Sequence, residues 1–255
     1  MLPNHAPLVI AEQFGTLESL YPGRIDLGLG RAPGSDQATA RALRRNLGSS
    51  GDTFPDDLVE LISYFQLAAE GQRIRAVPGA GVSVPLYLLG SSDFSARLAA
   101  ELGLPFGFAS HFAPEYLRVA LELYRRNFKP SQQLQQPYAI VGIGAYCADT
   151  DDEARHLFTS AQQQILTLIR GRPGKLPPPV DSMEKLWNEA ERAALAQRAR
   201  YTVIGSPKSV RERITEIIAE TGCDELIIVS QIYEHSARLR SYELVSGIFK
   251  DLGDK

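Results

Sequence analysis

Residues 84–110, VPLYLLGSSDFSARLAAELGLPFGFAS, carry the pattern that decides the fold. The apolar run Val84–Leu89 predicts a buried strand. A helix is expected to begin at Ser92, a good N-cap residue, and to end before Gly103, a residue typical of helix C-termini. Phe106–Ser110 predicts a second short strand. Because two strands joined by one helix run parallel in a sheet, this segment predicts an α/β fold.

The same alternation of strand and helix patterns continues along the chain. Five strands are predicted, at 25–30, 84–89, 106–110, 138–148 and 225–230. Such an order is compatible with a doubly wound parallel sheet and with a (β/α)8 barrel. A closed barrel needs eight strands, and only five are predicted here.

Composition limits the classes of protein to consider. A chain of 255 residues with 44% hydrophobic residues is expected to fold as one domain, 1–255, with a full core. Its formal net charge of −3 provides no basic surface for nucleic acid or a membrane, so neither is an expected partner. No apolar run approaches the roughly 18 residues of a spanning helix, and the start lacks a signal-peptide pattern.

The two cysteines indicate a reducing compartment. Cys147 and Cys223 stand far apart, outside any CxxC or Cys–His spacing. They are interpreted as buried apolar side chains rather than as a disulfide or a metal site, and the expected location is cytoplasmic.

One segment interrupts the alternation. Residues 171–200 begin with a proline-rich stretch and continue as a charged sequence, interpreted as a helix that contains the only tryptophan, Trp187. An insertion of this kind is either a lid or a solvated decoration, and the sequence leaves both open.

The glycine-rich segment 28–34, GLGRAPG, directly follows a predicted strand. It is not a dinucleotide fingerprint, because the spacing is GxGxxxG and Pro33 interrupts the turn. Arg31 is the residue of interest. At the carboxyl end of a barrel strand an arginine can bind a phosphate with two N–H groups, although a structural salt bridge is the alternative.

A serine-rich turn, Gly90 to Ser95, connects a predicted strand to the first turn of a helix. Unpaired N–H groups at a helix start, together with hydroxyl groups, suit a phosphate monoester. The alternative is that Ser92 caps its own helix while Asp93 interacts with the helix dipole. Asp93 would also oppose a bound dianion.

Other catalytic patterns are missing from the sequence. The four histidines have no metal-ligand spacing, and there is no GxSxG elbow and no P-loop. His111 follows a predicted strand end and is expected at the same carboxyl edge as Arg31. An aldolase or isomerase barrel that binds a sugar phosphate at the same site is a weaker alternative, because it would need a lysine or an acid at a strand end and none is placed convincingly there.

Taken together, these segments resemble the flavin-dependent luciferase-like monooxygenase family, and most of all its small single-type bacterial oxidoreductases. The matching segments cover nearly the whole chain: 1–7 (MLPNHAP), 21–34 (YPGRIDLGLGRAPG), 88–92 (LLGSS), 99–105 (AAELGLP), 108–114 (FASHFAP), 205–207 (GSP), 224–226 (DEL) and 238–244 (RLRSYEL).

The resemblance implies a TIM-type barrel that binds reduced FMN, supplied by a separate reductase, and that uses molecular oxygen on a small organic substrate. Some relatives use the deazaflavin F420, which is the alternative cofactor. A homodimer is the expected assembly of the complete barrel. By motif position Arg31 would bind the phosphate. The other cofactor-binding residues that the resemblance implies are hydroxyl groups beside the phosphate and apolar side chains against the ring system, namely Ser91, Ser92, Ser95, Leu29, Pro33 and Leu89.

The chain departs from the family at its start. In the family the segment LPNHAP follows the third strand, whereas here it occupies residues 2–7. The expectation is therefore an N-terminally incomplete barrel with about five of the eight strands. The family's histidine pair has no equivalent here, since neither His5 nor His111 matches it, so the catalytic residues stay unknown. The alternative function is a non-catalytic flavin-binding or structural barrel fragment.

Overall fold

The computed structural model describes residues 1–32, 42 and 53–253. The chain divides into two compact units. The first comprises Met1–Gly107 and Glu122–Tyr138, and the second comprises Phe108–Leu121 and Ala139–Lys255. Each unit is described by itself below.

Strands and helices alternate in the first unit, as the sequence predicts. In chain order they are α1 (Pro7–Leu20), β1 (Leu27–Gly30), α2 (Phe54–Phe65), β2 (Leu86–Gly90), α3 (Asp93–Leu102) and β3 (Phe106–Phe108), the last residue of which belongs to the second unit. Helix α4 (Leu117–Asn127) likewise crosses the boundary. Strand β2 begins two residues later than predicted. Pro85, which has no N–H, lies before it and accepts a hydrogen bond from Leu27 N–H instead.

The core of the first unit follows the periodicity of its elements. Strands β1 and β2 pair in parallel, and the leucines that alternate along them are buried. In α2 the buried side chains recur at helical spacing, which turns one face of this helix inward. Helix α3 ends at Gly103 as predicted, because this residue takes the left-handed conformation (φ +62°) that favours glycine.

The second unit is built around one fully buried strand. All nine residues of β4 (Ala139–Cys147) are buried. It pairs in parallel with β5 (Thr202–Gly205) and with β6 (Glu225–Val229). The helices that follow β4 in the chain are α5 (Asp151–Ile169), α6 (Glu189–Arg198), α7 (Pro207–Thr221) and α8 (His235–Gly253). The parallel α/β class is therefore confirmed.

Two details of the prediction were wrong. The described residues contain six strands, because Thr202–Gly205 forms a short strand that pairs with β4. Only two of its four residues are fully buried, so the apolar pattern is too short to predict a strand. The tryptophan lies outside the helix in the insertion. Asn188 accepts a hydrogen bond from Glu191 N–H while the Glu191 carboxylate accepts one from Asn188 N–H, and this capping box starts α6 after Trp187.

The insertion is anchored to α5. Met183 and Leu195 are buried against Leu166, and Trp187 packs on the same cluster. The Arg170 guanidinium donates to both carboxylate oxygens of Glu191, at 2.8 and 2.9 Å. These contacts hold the segment on α5 in this conformation, and a lid role stays a prediction.

Among the helices in the described ranges, none is both long enough and apolar enough to cross a membrane.

Candidate functional site

The candidate site lies where β1 and β2 of the first unit end. The parallel register places Gly30 beside Leu89. Arg31 and Gly90, which follow these residues, therefore leave the sheet at the same edge. Two of the segments that the sequence singled out are brought together by this pairing.

The serine turn packs tightly against the first turn of α3. The Ser95 hydroxyl is buried and donates to the Ser92 carbonyl oxygen at 3.0 Å, and it lies 3.5 Å from the Ser92 hydroxyl. A Cβ atom at Gly90 would overlap both Oγ and Cβ of Ser95. Only glycine fits here without displacement, so Gly90 allows the turn to approach the helix closely.

The start of α3 is not capped by its own serine. Ser92 occupies the N-cap position with extended backbone, yet its side chain makes no capping hydrogen bond. Ser91 and Ser92 are both half-buried. Helix starts carry N–H groups without intrahelical partners and a partial positive charge. The first turn of α3 therefore offers donors to an anionic group, and the self-capping alternative is not what the structure contains.

Asp93 is turned towards the helix surface. Its carboxylate lies 4.0 Å from the Arg97 guanidinium, one turn further along α3, and both side chains are mostly exposed. An exposed pair of this kind is weak. The pair nevertheless places the Arg97 guanidinium beside Asp93, the acidic residue of the first turn of α3.

Arg31 lies against an aromatic ring of the same helix. Its Cζ atom is 4.1 Å from the centroid of the Phe94 ring. Phe94 is the second residue of α3, so the guanidinium is placed at the first turn of the helix. The salt bridge considered as the alternative for Arg31 is not formed with any carboxylate in the described ranges.

Of the three apolar residues that the resemblance implies beside the flavin ring, Leu89 is exposed, Leu29 is buried, and Pro33 is outside the described residues. The Leu89 side chain is 39% exposed and lies so close to Gly28 that a Cβ there would be 2.8 Å from Leu89 Cδ1. Leu29 is only 2% exposed and belongs to the buried row of the sheet, so the structure does not bring it beside Leu89. Pro33 lies outside the described residues.

His111, in the second unit, is exposed and fixed at one ring nitrogen. Its backbone N–H and the Ser110 hydroxyl both donate to the Gly142 carbonyl oxygen, at 2.9 and 2.8 Å. The ring Nδ1 lies 3.1 Å from the same oxygen. Because a carbonyl oxygen only accepts, this contact requires the proton on Nδ1, and in the neutral ring Nε2 is then an acceptor.

Sequence reasoning missed two residues of this site. The sequence marks Gly90 only as the end of a strand, and Phe94 only as part of the serine-rich run. An aromatic side chain two residues after the N-cap was the one signal available for Phe94. Its contact with Arg31 depends on strand register, which a single sequence does not give.

Comparison with known proteins places the chain in a recognisable group. Residues 1–225 match the family described as luciferase-like monooxygenase. A luciferase-like monooxygenase of Escherichia coli strain K12 is 52% identical over 252 residues, which are 99% of this chain and 75% of that protein.

Solved structures give the same result. Apo-MsnO8 superposes with a TM-score of 0.84 at 33% identity, covering 98% of this chain and 76% of that one. Two more distant structures share the fold. The oxygenating constituent of 3,6-diketocamphane monooxygenase from Pseudomonas putida, in complex with FMN, has a TM-score of 0.66 at 18% identity and covers 96% and 75% of the two chains. An F420-dependent secondary alcohol dehydrogenase has a TM-score of 0.65 at 12% identity and covers 96% and 76%.

Proposed function

Since this chain belongs to the luciferase-like monooxygenase family, we propose that it binds FMN at the β1–β2 edge and serves a flavin-dependent oxidation of a small organic substrate with molecular oxygen. The observation that carries the proposal is the uncapped start of α3 with the Arg31 guanidinium held beside it. A phosphate monoester needs a cation and several directed donors, and this edge supplies both kinds of group.

The described residues fit the phosphate end of a flavin. The first turn of α3 offers N–H groups, Ser91 and Ser92 add hydroxyl groups, and Gly90 keeps the turn free of a side chain. Leu89, partly exposed on the neighbouring strand, offers apolar surface for the ring system. Bound in its reduced form, FMN supplies the electrons that activate oxygen.

The roles of the protein groups follow from their chemistry. Arg31 neutralises phosphate charge, the two serine hydroxyls donate to phosphate oxygens, and the buried Ser95 hydroxyl fixes the turn that carries them. F420 is the alternative cofactor, because a structural relative is F420-dependent. Its phosphate would use the same donors.

The remaining parts of the proposal concern partners and location. A separate reductase would supply the reduced flavin, and a homodimer is the proposed assembly. Cys147 and Cys223 form no disulfide within the described residues, and a reducing, cytoplasmic compartment is the proposed location.

Flavin titration tests the binding step. FMN is added to the chain and to Arg31→Ala while flavin fluorescence is followed. Losing a charge-assisted contact is expected to weaken FMN binding by about tenfold or more. Arg97→Ala is the matched control, because it removes the same charge from the exposed face of α3 and should leave the affinity unchanged. If neither FMN nor F420 binds, the proposal is wrong.

Oxygen consumption tests the reaction. With chemically reduced FMN and candidate substrates, substrate-dependent consumption above that of free flavin supports an enzyme. Binding without turnover across a broad substrate panel would favour the non-catalytic flavin-binding alternative.

A further inference from the structure

The contact between Arg31 and Phe94 has a feature that ordinary arginine pairs lack. In an ion pair such as Arg170 with Glu191, the guanidinium N–H groups donate hydrogen bonds to the carboxylate. In the Arg31 contact the guanidinium carbon lies 4.1 Å from a ring centroid. A ring attracts the cation through its face and accepts no in-plane hydrogen bond. Within the described residues the N–H groups of Arg31 have no carboxylate partner, so they are available there for a ligand.

The ring is also what holds Arg31 in place. Arg31 is exposed at the end of β1, and among the described residues 1–32, 42 and 53–253 the Phe94 ring is its one side-chain partner. Phe94 itself is half-buried on the first turn of α3, between the N-cap Ser92 and the buried Ser95. The helix therefore fixes the ring, and the ring fixes the cation at the helix start.

We propose that Phe94 is a positioning residue for phosphate binding, which holds the Arg31 guanidinium at the first turn of α3 with its N–H groups free for a phosphate ester. This inference rests on the proposed function, because it takes the flavin phosphate as the ligand. Phe94 touches the arginine and not the phosphate, so its effect on binding passes through Arg31. An aromatic face is required at this position, whereas a carboxylate would neutralise the cation and an aliphatic side chain would leave it mobile.

The test compares two flavins that differ only in the phosphate. FMN and riboflavin are titrated into the full chain, Phe94→Leu, Phe94→Tyr and Arg31→Ala. Losing an exposed cation–π contact is expected to weaken FMN binding about two- to fivefold in Phe94→Leu. Riboflavin binding should stay unchanged in that variant. Phe94→Tyr keeps the aromatic face and should bind FMN like the unmodified chain.

A matched control is present in the same unit. Arg24 lies over the Tyr21 ring at 6.0 Å, an arginine–aromatic pair remote from the β1–β2 edge. Tyr21→Leu removes that ring and should change the affinity for neither flavin. A flavin-free readout comes from NMR, because the Phe94 ring current shifts the Arg31 Nε–H resonance and Phe94→Leu should remove the shift.

The outcomes separate this inference from the proposed function. If Arg31→Ala weakens FMN selectively while Phe94→Leu does not, the positioning role is wrong and the phosphate site stands. Equal losses for FMN and riboflavin in Phe94→Leu would mean a general structural effect and would also overturn the inference. If Arg31→Ala binds both flavins like the unmodified chain, the phosphate site itself is wrong.

Discussion

The close packing of the serine turn makes Gly90→Ala a decisive substitution. The added methyl group would overlap Ser95, whose side chain is buried at the base of α3. Ser95 has little room to move, because it is only 5% exposed and its hydroxyl donates a hydrogen bond to the Ser92 carbonyl oxygen. Overpacking of this kind costs about 1–3 kcal/mol. For a chain of this size the melting temperature should then fall by roughly 2–12 °C.

The same substitution should weaken FMN binding, since relief of the overlap moves the turn that carries the serine hydroxyls. Urea unfolding followed by circular dichroism gives the free-energy change, and a flavin titration gives the affinity. Gly174→Ala is the matched control, because a Cβ there meets nothing within 4 Å; its free energy of unfolding should stay within about 0.5 kcal/mol.

A second variant identifies the cause. Ser95→Gly removes both overlapping atoms, so the double variant Gly90→Ala/Ser95→Gly should lose less stability than the sum of the two single changes. Strict additivity, or a Gly90→Ala protein with unaltered stability and FMN affinity, would refute the close-packing argument.

Three further substitutions or reagents test the second unit. The Asp151 carboxylate accepts hydrogen bonds from the backbone N–H of Ser206, the N-cap of α7, and from the Ser209 hydroxyl, and these bonds lower its pKa from the usual value. Asp151→Ala should lower the melting temperature near neutral pH, and the difference should vanish as acid protonates the folded-state carboxyl group. In Gly142→Ala the new Cβ would lie 2.9 Å from His111 Nδ1, so a loss of about 1–3 kcal/mol in urea unfolding and a shifted imidazole resonance are expected. With a thiol reagent at pH 8, the half-buried Cys223 should react first, and Cys147 only on unfolding, because burial raises its pKa to about 11; equal rates would contradict this.

The sequence predicts the elements of this fold better than their contacts. Apolar runs and turn residues predict both strands of the β1–β2 edge and the end of α3 at Gly103. These signals are local, since they depend on residues a few positions apart. Strand β5 escaped prediction because its four residues are stabilised by pairing with β4, and that pairing is not local.

The candidate site shows the same limit. Motif position alone was enough to single out Arg31 and the serine turn. The partner of Arg31 was beyond prediction, because Phe94 meets it only after Gly30 and Leu89 are aligned in neighbouring strands. The capping of α3 could not be predicted either. A serine at the N-cap position accepts a hydrogen bond from an N–H group of the first turn in one rotamer and leaves that group unpaired in another.

The charges around the start of α3 explain why Asp93 is not expected to prevent phosphate binding at the proposed site. A phosphate monoester carries about −1.5 to −2 charges near neutral pH. Arg31 contributes one positive charge, and the start of a helix contributes the equivalent of about half a charge. Asp93 opposes that attraction only weakly, because its side chain is mostly exposed and water screens its charge. The Asp93–Arg97 pair is exposed and weak for the same reason, so Arg97→Ala should change the FMN affinity by an amount too small to measure.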